Sequence, residues 1–187
     1  MTRETLGTTT AGVGELVLDG VEIDDDRRLG AVDGALADEA AVMDRARVCR
    51  AALAVGVGRA AFEAGAAYAA ERKQFGKPLT AFQAIQWMIA DGATELDAAR
   101  LMYRRAAARI DAGQPASGEA AMARVFASER AREVCDRALQ MHGGYGYTRD
   151  YPVERHWRDA HALMVGEGTD NALQRLLIAR SLIAEAR

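Results

Sequence analysis

Glu167 is the carboxylate of this 187-residue sequence whose surroundings best suit acid–base chemistry. It stands in the stretch MVGEGT at 164–169, between two helical patterns and with a glycine on each side. Flanking glycines let a carboxylate project into a cleft, where desolvation raises its pKa and makes it a useful base. A carboxylate just before a helix N-terminus also stabilises the helix dipole, and the residues alone do not favour either interpretation.

A glycine-rich run, GGYGY at 143–147, is a second candidate segment and follows a helical pattern. Three glycines in four positions allow the backbone to approach a flat or charged ligand closely, although a plain turn is the simpler interpretation. The histidines are His142, His156 and His161, and the last two lie five positions apart, off a common helix face. Because there is also no HExxH motif, we expect no metal site.

A cationic segment, ERKQFGK at 71–77, places Arg72 and Lys73 near the predicted end of a helix. Cations at a helix C-terminus complement the macrodipole, so a solvated helix end is the simpler interpretation. The alternative is an anion site, in which the planar guanidinium of Arg72 makes a bidentate contact with a phosphate. Another glycine pair, Gly56 and Gly58, lies inside a helical pattern rather than after a strand, which disfavours dinucleotide binding there.

The composition is that of a globular helical domain, with 50% hydrophobic, 27% charged and only 6% aromatic residues. The net charge of −3 provides no basic face for nucleic acid, and no apolar run reaches the ~20 residues of a membrane span. Cys49 and Cys135 lie far apart and outside any CxxC motif. We expect both to be buried, reduced thiols of a cytoplasmic protein.

Hydrophobic periodicity predicts an all-α fold, an antiparallel helical bundle over residues 36–187, preceded by a short β segment within residues 1–35. The β-rich stretch is GELVLDGVEI at 14–23, which pairs with something outside the chain or lies against the helices. The predicted helices cover 38–74, 80–112, 117–142, 152–163 and 169 to the C-terminus. Ser117 and Thr169 are expected N-caps, whereas Gly76 and Gly143 are expected to end helices.

Two apolar stripes support the long helices. The first consists of Val42, Cys49, Leu53, Val57, Ala60, Ala64 and Tyr68. The second consists of Phe82, Ile85, Ile89, Gly92, Leu96, Ala99, Tyr103, Ala106 and Ile110, which is the seam of a bundle. Glycines at 56, 58 and 65 interrupt the first helix and predict a closely packed neighbouring helix.

Four motifs in order resemble the C-terminal part of the acyl-CoA dehydrogenase family. They are ERKQFGKPL with Phe82-Gln83, QMHGGYGY at 140–147, RDYPVERHWRD at 149–159, and EGT at 167–169 leading into RLLIAR at 175–180. The resemblance covers essentially the whole chain. It includes ELVLDGVEI, which is similar to the last strand of the family's middle β-domain, so residues 1–35 would be the remnant of that domain.

This resemblance implies an FAD-dependent oxidoreductase of fatty acid or lipid metabolism, which removes an α-proton from an acyl-CoA thioester while the β-hydride passes to flavin. Glu167, before its Gly-Thr pair, matches the family's base. The positions that match contacts with the FAD of a neighbouring subunit are Arg72, Gln74, Phe75, Gln83, Gln140, Gly143 and Gly144. Thr169 matches a contact with the subunit's own FAD, and Asp44 and Arg47 match groups directed towards the CoA ester.

The sequence departs from the family pattern in three respects. It has about half the length of a full member and lacks the N-terminal helical domain and most of the β-domain. Gly166 replaces an aromatic residue beside the base, which predicts a wider pocket for a bulky or branched acyl group. One extra residue after Thr169 moves Gln174 away from the position of a glutamine that contacts FAD.

Functions of different classes remain open at this point. The first is an enzyme whose flavin site is completed in a homo-oligomer, or in a hetero-oligomer with a longer acyl-CoA dehydrogenase subunit. Its electron acceptor would be an electron-transferring flavoprotein or oxygen. The second is a non-catalytic helical assembly subunit, or fragment, that pairs with a full-length dehydrogenase. A helical module without flavin is the third.

Overall fold

The computed structural model describes residues 2–165 and 170–185. Within them are five α-helices and four two-residue strands, of which two precede the first helix and two follow it. The helices are α1 (Ala35–Glu71), α2 (Gln83–Asp111), α3 (Ser117–His142), α4 (Val153–Met164) and α5 (Asn171–Glu185). The strands form two antiparallel pairs, β1 (Thr2–Arg3) with β2 (Val13–Gly14) and β3 (Lys73–Gln74) with β4 (Lys77–Pro78). The predicted all-α bundle with a short β segment before it is confirmed.

The helix α3 occupies the centre of the bundle, and α1 runs parallel to it. Ser117 lies against Asp44 at one end, and Ala138 lies against Gly65 further along, so both contacts keep the same offset of 73 residues. The intervening helix α2 runs antiparallel, since Glu95 of α2 bonds to Arg137 near the end of α3, whereas Arg109 near the end of α2 pairs with Glu119 near the start of α3. The long parallel contact between α1 and α3 therefore fixes which ends of these helices meet.

Small residues form the contact between α1 and α3. A Cβ on Gly58 would lie 3.2 Å from the Cα of Ala131, and a Cβ on Gly65 would lie 3.1 Å from the Cα of Ala138. These two glycines therefore have the close helix neighbour that the sequence predicts. Gly56 does not, because a Cβ there would meet nothing within 4 Å.

The predicted apolar stripe of α1 is wrong in its first half. Val42 is 63% exposed and Leu53 is 54% exposed. Apart from Asp44, the described residues of this helix that are buried are mostly small, namely Ala51, Ala54, Val55, Gly58, Ala61, Gly65 and Ala69. Alanine and glycine allow the close approach to α3, which leaves the larger side chains at the periphery. On α2 the predicted stripe is buried at Gly92, Leu96, Ala99 and Ala106.

The two cysteines differ in environment, and the expectation that both are buried is wrong for Cys49. Cys135 is buried on α3, where burial raises the pKa of its thiol to about 12. Cys49 is exposed on α1 because it lies off the face that packs against α3. Only Cys135 thus has the environment of an inert structural thiol.

The first helix ends three residues earlier than the sequence predicts. It stops at Glu71, and the chain turns back through a hairpin in which Lys73 and Gln74 pair with Pro78 and Lys77. The turn is tight because Phe75 and Gly76 both have positive φ angles, 53° and 80°. Two such residues suit the two-residue hairpin loop, so the segment predicted as a helix end is a hairpin.

Other helix ends agree with the sequence or differ by one residue. Gly143 ends α3 with φ 59°, and Pro152 precedes α4, as predicted. The N-cap of α3 is Ala116 rather than Ser117, whose hydroxyl donates to Asp44 instead. Thr169, the predicted cap of the last helix, lies outside the described residues, and the N–H of Leu173 bonds to the side chain of Asp170.

The predicted β segment forms a ladder only at its start. Val13 and Gly14 pair with β1, whereas residues 15–23 carry no strand in the described structure. The apolar side chains in this stretch are 58–83% exposed, namely Leu16, Val17, Leu18, Val21 and Ile23. The segment therefore does not lie against the helices. Among the described residues, no helix combines the length and apolarity needed to span a membrane.

Candidate cofactor and substrate sites

A cavity of about 580 Å³ opens where the C-terminal end of α1 meets the glycine-rich turn after α3. Five of the eight predicted cofactor positions line it, namely Arg72, Gln74, Gln140, Gly143 and Gly144. The remaining lining residues are Tyr68, Leu79, Ile85, Met141, His142, Tyr145 and Thr148. Residues from two separate motifs of the sequence therefore share one cavity.

Arg72 is placed at this cavity by the junction between α1 and the hairpin. Its backbone is extended, its N–H bonds to the carbonyl of Tyr68 at 2.9 Å, and its carbonyl accepts the N–H of Leu79 at 2.9 Å. The hairpin is thus closed onto the end of the helix. The segment 71–77 carries three cations, Arg72, Lys73 and Lys77, and one carboxylate, Glu71, so its net positive charge makes the cavity rim favourable to an anion.

The opposite wall is the short 3₁₀ turn Gly143–Tyr147. Gly143 has φ 59° and ψ −134°, a conformation that residues with a Cβ rarely adopt. A Cβ on Gly144 would meet nothing within 4 Å, so the backbone there faces open space in the cavity. Gly146 packs inward, where a Cβ would lie 2.5 Å from the carbonyl oxygen of Leu139. In this turn Gly143 therefore permits the backbone conformation, Gly144 leaves space for a ligand, and Gly146 permits close packing.

Phe75 and Gln83 are predicted cofactor positions that do not line the cavity. Phe75 occupies the tip of the hairpin and is 91% exposed, with its ring 6.3 Å from that of Phe82 in an edge-on arrangement. Lys77 lies over the Phe82 ring, 4.3 Å from its centroid. Gln83 is the exposed first residue of α2. Both residues are therefore exposed to solvent in the single chain.

A cluster of rings behind the cavity was not predicted from the sequence. Tyr68 stacks on His142 with ring centroids 4.3 Å apart, and Tyr151 meets the edge of Tyr68 at 5.5 Å. His142 is 3% exposed, and its Nδ1 lies 2.8 Å from the carbonyl oxygen of Ala138. The signal for Tyr68 is its position four residues before Arg72, which puts both on one helix face.

The combination of an apolar, ring-bearing wall with arginine and amide groups suits a ligand that has a planar part and an anionic part. Tyr68, Leu79, Ile85 and Met141 provide the apolar surface, and Arg72 provides the cation. FAD has this composition, with an adenine ring and a pyrophosphate. The volume also falls in the roughly 300–1,000 Å³ range of small-molecule sites, so the residues fit the cofactor.

The predicted substrate residues Asp44 and Arg47 form an ion pair in the first half of α1. Their side chains are each 12% exposed, and Nη1 of Arg47 lies 2.6 Å from Asp44. The hydroxyl of Ser117 donates to Asp44 at 2.5 Å, and Nε of Arg47 donates to Gln174 at 2.8 Å. This cluster connects α1 with α3 and α5. Gln174, which we did not assign to FAD, is 1% exposed here.

Glu167 lies outside the described residues, but the described residues on either side of it are held by α1 and α3. The guanidinium of Arg50 donates to the carbonyl oxygens of Ala162 and Val165 at 3.3 and 3.1 Å, at the end of α4. On the other side, the amide of Asn171 donates to the hydroxyl of Ser128 at 3.0 Å. The described chain before this segment is therefore attached to α1, and the described chain after it is attached to α3.

The two groups of predicted residues lie far apart within one chain. Arg47 and Arg72 are 25 positions apart on or just beyond the same helix, which corresponds to about 37 Å at 1.5 Å per residue. No single small-molecule cavity spans this distance. Within the described residues, no group of three or more histidine, cysteine, aspartate or glutamate side chains is arranged to hold a metal ion.

Comparison with known proteins identifies the family. Residues 33–183 match the family described as acyl-CoA dehydrogenase, C-terminal domain. The chain belongs to this family. Among sequence relatives of this acyl-CoA dehydrogenase domain, YngJ of Bacillus subtilis, named a probable acyl-CoA dehydrogenase, is 44% identical over 178 residues. The match covers 95% of this chain and 47% of YngJ.

Further relatives extend this comparison. The caffeyl-CoA reductase–Etf complex subunit CarC of Acetobacterium woodii is 38% identical, over 95% of this chain and 47% of CarC. The butyryl-CoA dehydrogenase of Megasphaera elsdenii superposes with a TM-score of 0.94 at 34% identity, over 98% of this chain and 48% of that enzyme. PigA, solved as an FAD complex, superposes with a TM-score of 0.67 at 32% identity, over 71% of this chain and 34% of PigA. The chain spans about half the length of the relatives it matches.

Proposed function

We propose that this chain is part of an FAD-dependent acyl-CoA dehydrogenase in which Glu167 removes the α-proton of an acyl-CoA thioester. FAD, when bound, accepts the hydride that leaves the β-carbon, so that a double bond forms between the two carbons. The observation that carries the proposal is the cavity that gathers Arg72, Gln74, Gln140 and the Gly143-Gly144 turn. These positions come from separate motifs, and their convergence on one ligand-sized space is what a cofactor site requires.

Each cavity residue has a role that follows from its chemistry. The guanidinium of Arg72 pairs with a phosphate through two parallel hydrogen bonds. The amides of Gln74 and Gln140 donate and accept hydrogen bonds, which suits the edge of a heterocyclic ring. The open backbone at Gly144 allows the ligand to approach the turn closely. Family membership and the FAD complex of PigA support FAD as the ligand.

We further propose that the complete active site needs a second subunit. The cofactor cavity and the Asp44–Arg47 pair are about 37 Å apart along α1, so one chain cannot present both to the same substrate and cofactor. The partner is another copy of this chain or a longer acyl-CoA dehydrogenase subunit. The exposed tip residue Phe75 supports this arrangement, since it projects away from its own chain.

The substrate end is proposed to orient the CoA ester near the base. The Asp44–Arg47 pair is held in place by Ser117 and Gln174, so its geometry does not depend on a ligand. A preorganised pair can align a thioester without loss of side-chain entropy on binding. The α-proton of a thioester is weakly acidic, so we expect Glu167 to work in a dry pocket with a raised pKa.

Substitution of Glu167→Gln in the assembled protein tests the proposal. Loss of the carboxylate should lower kcat by at least about 10²-fold, because glutamine cannot accept the α-proton. Glu63→Gln, which removes an exposed carboxylate of α1, is the matched control and should leave kcat unchanged. Gel filtration and the visible flavin spectrum establish that each variant is assembled and holds its cofactor. Undiminished dehydrogenation by the Glu167→Gln protein would remove this residue from the mechanism.

A non-catalytic subunit that completes the flavin site of a longer acyl-CoA dehydrogenase is the second candidate. The exposed apolar stretch from Leu16 to Ile23 favours it, because a partner that carries a β-domain would cover this surface. In that case the Glu167→Gln complex would keep full activity, while Arg72→Ala would weaken its flavin binding. CarC is named as a subunit of an Etf complex, so an electron-transferring flavoprotein is the proposed electron acceptor in either case.

A further inference from the structure

A second cavity, of about 390 Å³, lies in a groove between α1 and α2. The two helices pack directly on each other beside it, because Leu96 lies against Gly58 and Phe62 lies against Gly92. Small residues of α1 form part of the wall, and the ionisable lining residues are Arg59, Glu63, Arg100, Tyr103 and Arg104. The cavity is thus a defined space between two helices in contact.

Gly56 also lines this groove, and no packing contact accounts for its lack of a side chain. Gly58 and Gly65 permit the close approach of α3, whereas a Cβ on Gly56 would meet nothing within 4 Å. Glycine destabilises a helix interior, because it loses more backbone freedom on folding than other residues do. At position 56 the missing side chain leaves open space in the groove, so a bound molecule gives this glycine a role that packing does not.

Positive charge predominates among the lining residues, since three arginines and a single glutamate line the groove. Arg59 pairs with Glu63 at 3.1 Å, and Arg100 pairs with Asp97 at 3.3 Å, both at the surface. Surface ion pairs contribute little to stability, so an anion of higher charge can take the place of these carboxylates. Within the described part of the chain, no carboxylate pairs with Arg104. Its guanidinium is therefore available to a ligand.

We propose that this groove binds a diphosphate group through Arg59, Arg100 and Arg104. The two arginines of α2 are four positions apart, so they lie on one face of the helix. A guanidinium binds a phosphoryl group through two parallel hydrogen bonds, and several guanidiniums together match an anion with two phosphoryl groups. Side chains hold the anion here, because the backbone N–H groups of a helix interior are already bonded to carbonyls. The site therefore differs from a glycine-rich phosphate loop, which presents free backbone N–H groups.

The groove is separate from the cofactor cavity. Gly56 lies 16 positions before Arg72, which corresponds to about 24 Å along α1 at 1.5 Å per residue. The two cavities share no lining residue. Diphosphate binding needs neither Glu167 nor turnover, so the inference stands or falls independently of the proposed function. A diphosphate occurs as a free anion and as part of a nucleotide, and the groove has the volume of a small-molecule site.

Calorimetry of the assembled protein tests the site, with inorganic pyrophosphate as the probe and excess FAD present to occupy the cofactor cavity. Pyrophosphate should bind with a Kd below about 1 mM, and Arg104→Met should weaken binding at least about 10-fold through loss of a charge-assisted hydrogen bond. Arg105→Met is the matched control, because Arg105 is the adjacent exposed arginine of α2 but does not line the groove, and it should leave the affinity unchanged. Absence of binding, or an equal loss in both variants, would overturn the assignment.

Two further variants test the location of the bound anion. Gly56→Leu fills the open space without changing any charge and replaces a poor helix former. It should keep the melting temperature at or above that of the unmodified protein and weaken pyrophosphate binding at least about 10-fold. Undiminished binding by this variant would place the anion outside the groove and overturn the inference. Arg72→Met should bind pyrophosphate normally, and a loss there would place the anion in the cofactor cavity instead.

The source of the diphosphate is decided by titration with ADP and adenosine. Tighter binding of ADP than of pyrophosphate, with no binding of adenosine alone, would assign the groove to a nucleotide. Equal affinities for ADP and pyrophosphate would assign it to a free diphosphate, and either result supports the inference. A hexaglutamate peptide is the competing anion, and tighter binding of this peptide than of pyrophosphate would overturn the inference in favour of an acidic protein segment.

Discussion

The two ends of α1 differ in whether their charged groups are bonded within the chain or exposed at a cavity. At the Asp44 end, polar groups from α1, α3 and α5 bond to one another, and the ion pair is almost fully buried. At the Arg72 end, the hairpin is exposed, and Arg72 lines a ligand-sized cavity. The first end is completed by the chain itself, and the second presents its functional groups outward.

This difference indicates which substitutions change the stability of the protein and which change its affinity for a ligand. A buried charge depends on its internal partner, so its loss is felt as a loss of stability. An exposed charge at a cavity rim contributes little to folding and acts mainly on the ligand that reaches it. Because α1 packs against α3 along a seam of small residues, the two ends stay at a fixed separation. Stability and cofactor affinity should therefore respond to separate sets of residues.

The largest expected effect is at the closed end, from Asp44→Ala. This change leaves Arg47 mostly buried without the carboxylate that lies 2.6 Å away, and it also removes the acceptor of Ser117. Breaking a buried pair by removing one partner costs about 3–5 kcal/mol of unfolding free energy. Urea denaturation followed by circular dichroism measures this loss. Arg72→Ala at the open end is the control and should stay within about 0.5 kcal/mol of the unmodified protein.

The next effect is at the open end and concerns affinity instead of stability. Arg72→Met removes the cation at the rim of the cofactor cavity but keeps the length of the side chain. FAD affinity should fall about 10- to 100-fold, since a charge-assisted hydrogen bond contributes about 1.5–3 kcal/mol. A fluorescence titration of the assembled apoprotein with FAD measures the change. Unaltered affinity would mean that the cavity does not hold the anionic part of FAD.

The sequence predicted the elements well where a local pattern and the packing coincide. The stripe on α2 is buried as expected at Gly92, Leu96 and Ala99, because larger apolar residues at the same helical spacing, such as Ile85, Ile89 and Leu96, mark the face on which the small ones lie. The stripe on α1 was misassigned, because alanine and glycine carry little hydrophobic signal although they form its buried face. Their role depends on how closely α3 approaches, which no local pattern encodes.

The candidate site also contains residues that the sequence predicts and residues that only the folded structure reveals. Arg72, Gln74 and Gln140 were found from motifs, and the structure brings them to one cavity. Tyr68 and His142 were missed as lining residues, because only the folded arrangement stacks one on the other. The hairpin at 73–78 was also missed, since the positive φ of Phe75 is not expected for an aromatic residue.

A smaller effect separates two adjacent glycines of the cofactor cavity. Gly143→Ala forces a Cβ into a conformation with φ 59° and ψ −134°, which should cost about 1–3 kcal/mol of stability. Gly144→Ala is the matched control, because a Cβ there meets nothing within 4 Å, so its stability should change by less than about 0.5 kcal/mol. Thermal unfolding of both variants without added FAD measures the difference. Equal melting temperatures would contradict the strain assigned to Gly143.

The smallest effect has opposite signs for stability and for binding, and it concerns Phe75 at the hairpin tip. This residue adopts φ 53° and is 91% exposed, so its own chain gains little from the ring. Phe75→Asn gives the turn an Asn-Gly sequence, which two-residue hairpins favour, and should raise stability by roughly 0.5–1 kcal/mol. For a chain of this size the melting temperature should rise by about 1–4 °C.

FAD affinity and assembly should weaken in the same Phe75→Asn variant, because the exposed ring is proposed to contact the neighbouring subunit's cofactor. Tyr147→Asn is the matched control, since Tyr147 is also 91% exposed but lies outside the hairpin and is not a predicted cofactor position, and it should alter neither property. Melting curves and FAD titrations of both variants decide the matter. A variant at position 75 that is more stable and binds FAD as well as before would show that the strained aromatic serves neither the cofactor nor the partner. Higher stability together with weaker FAD affinity would place the open end of α1 at the boundary between two subunits. The strained conformation of Phe75 would then lower the stability of the single chain and stabilise the complex.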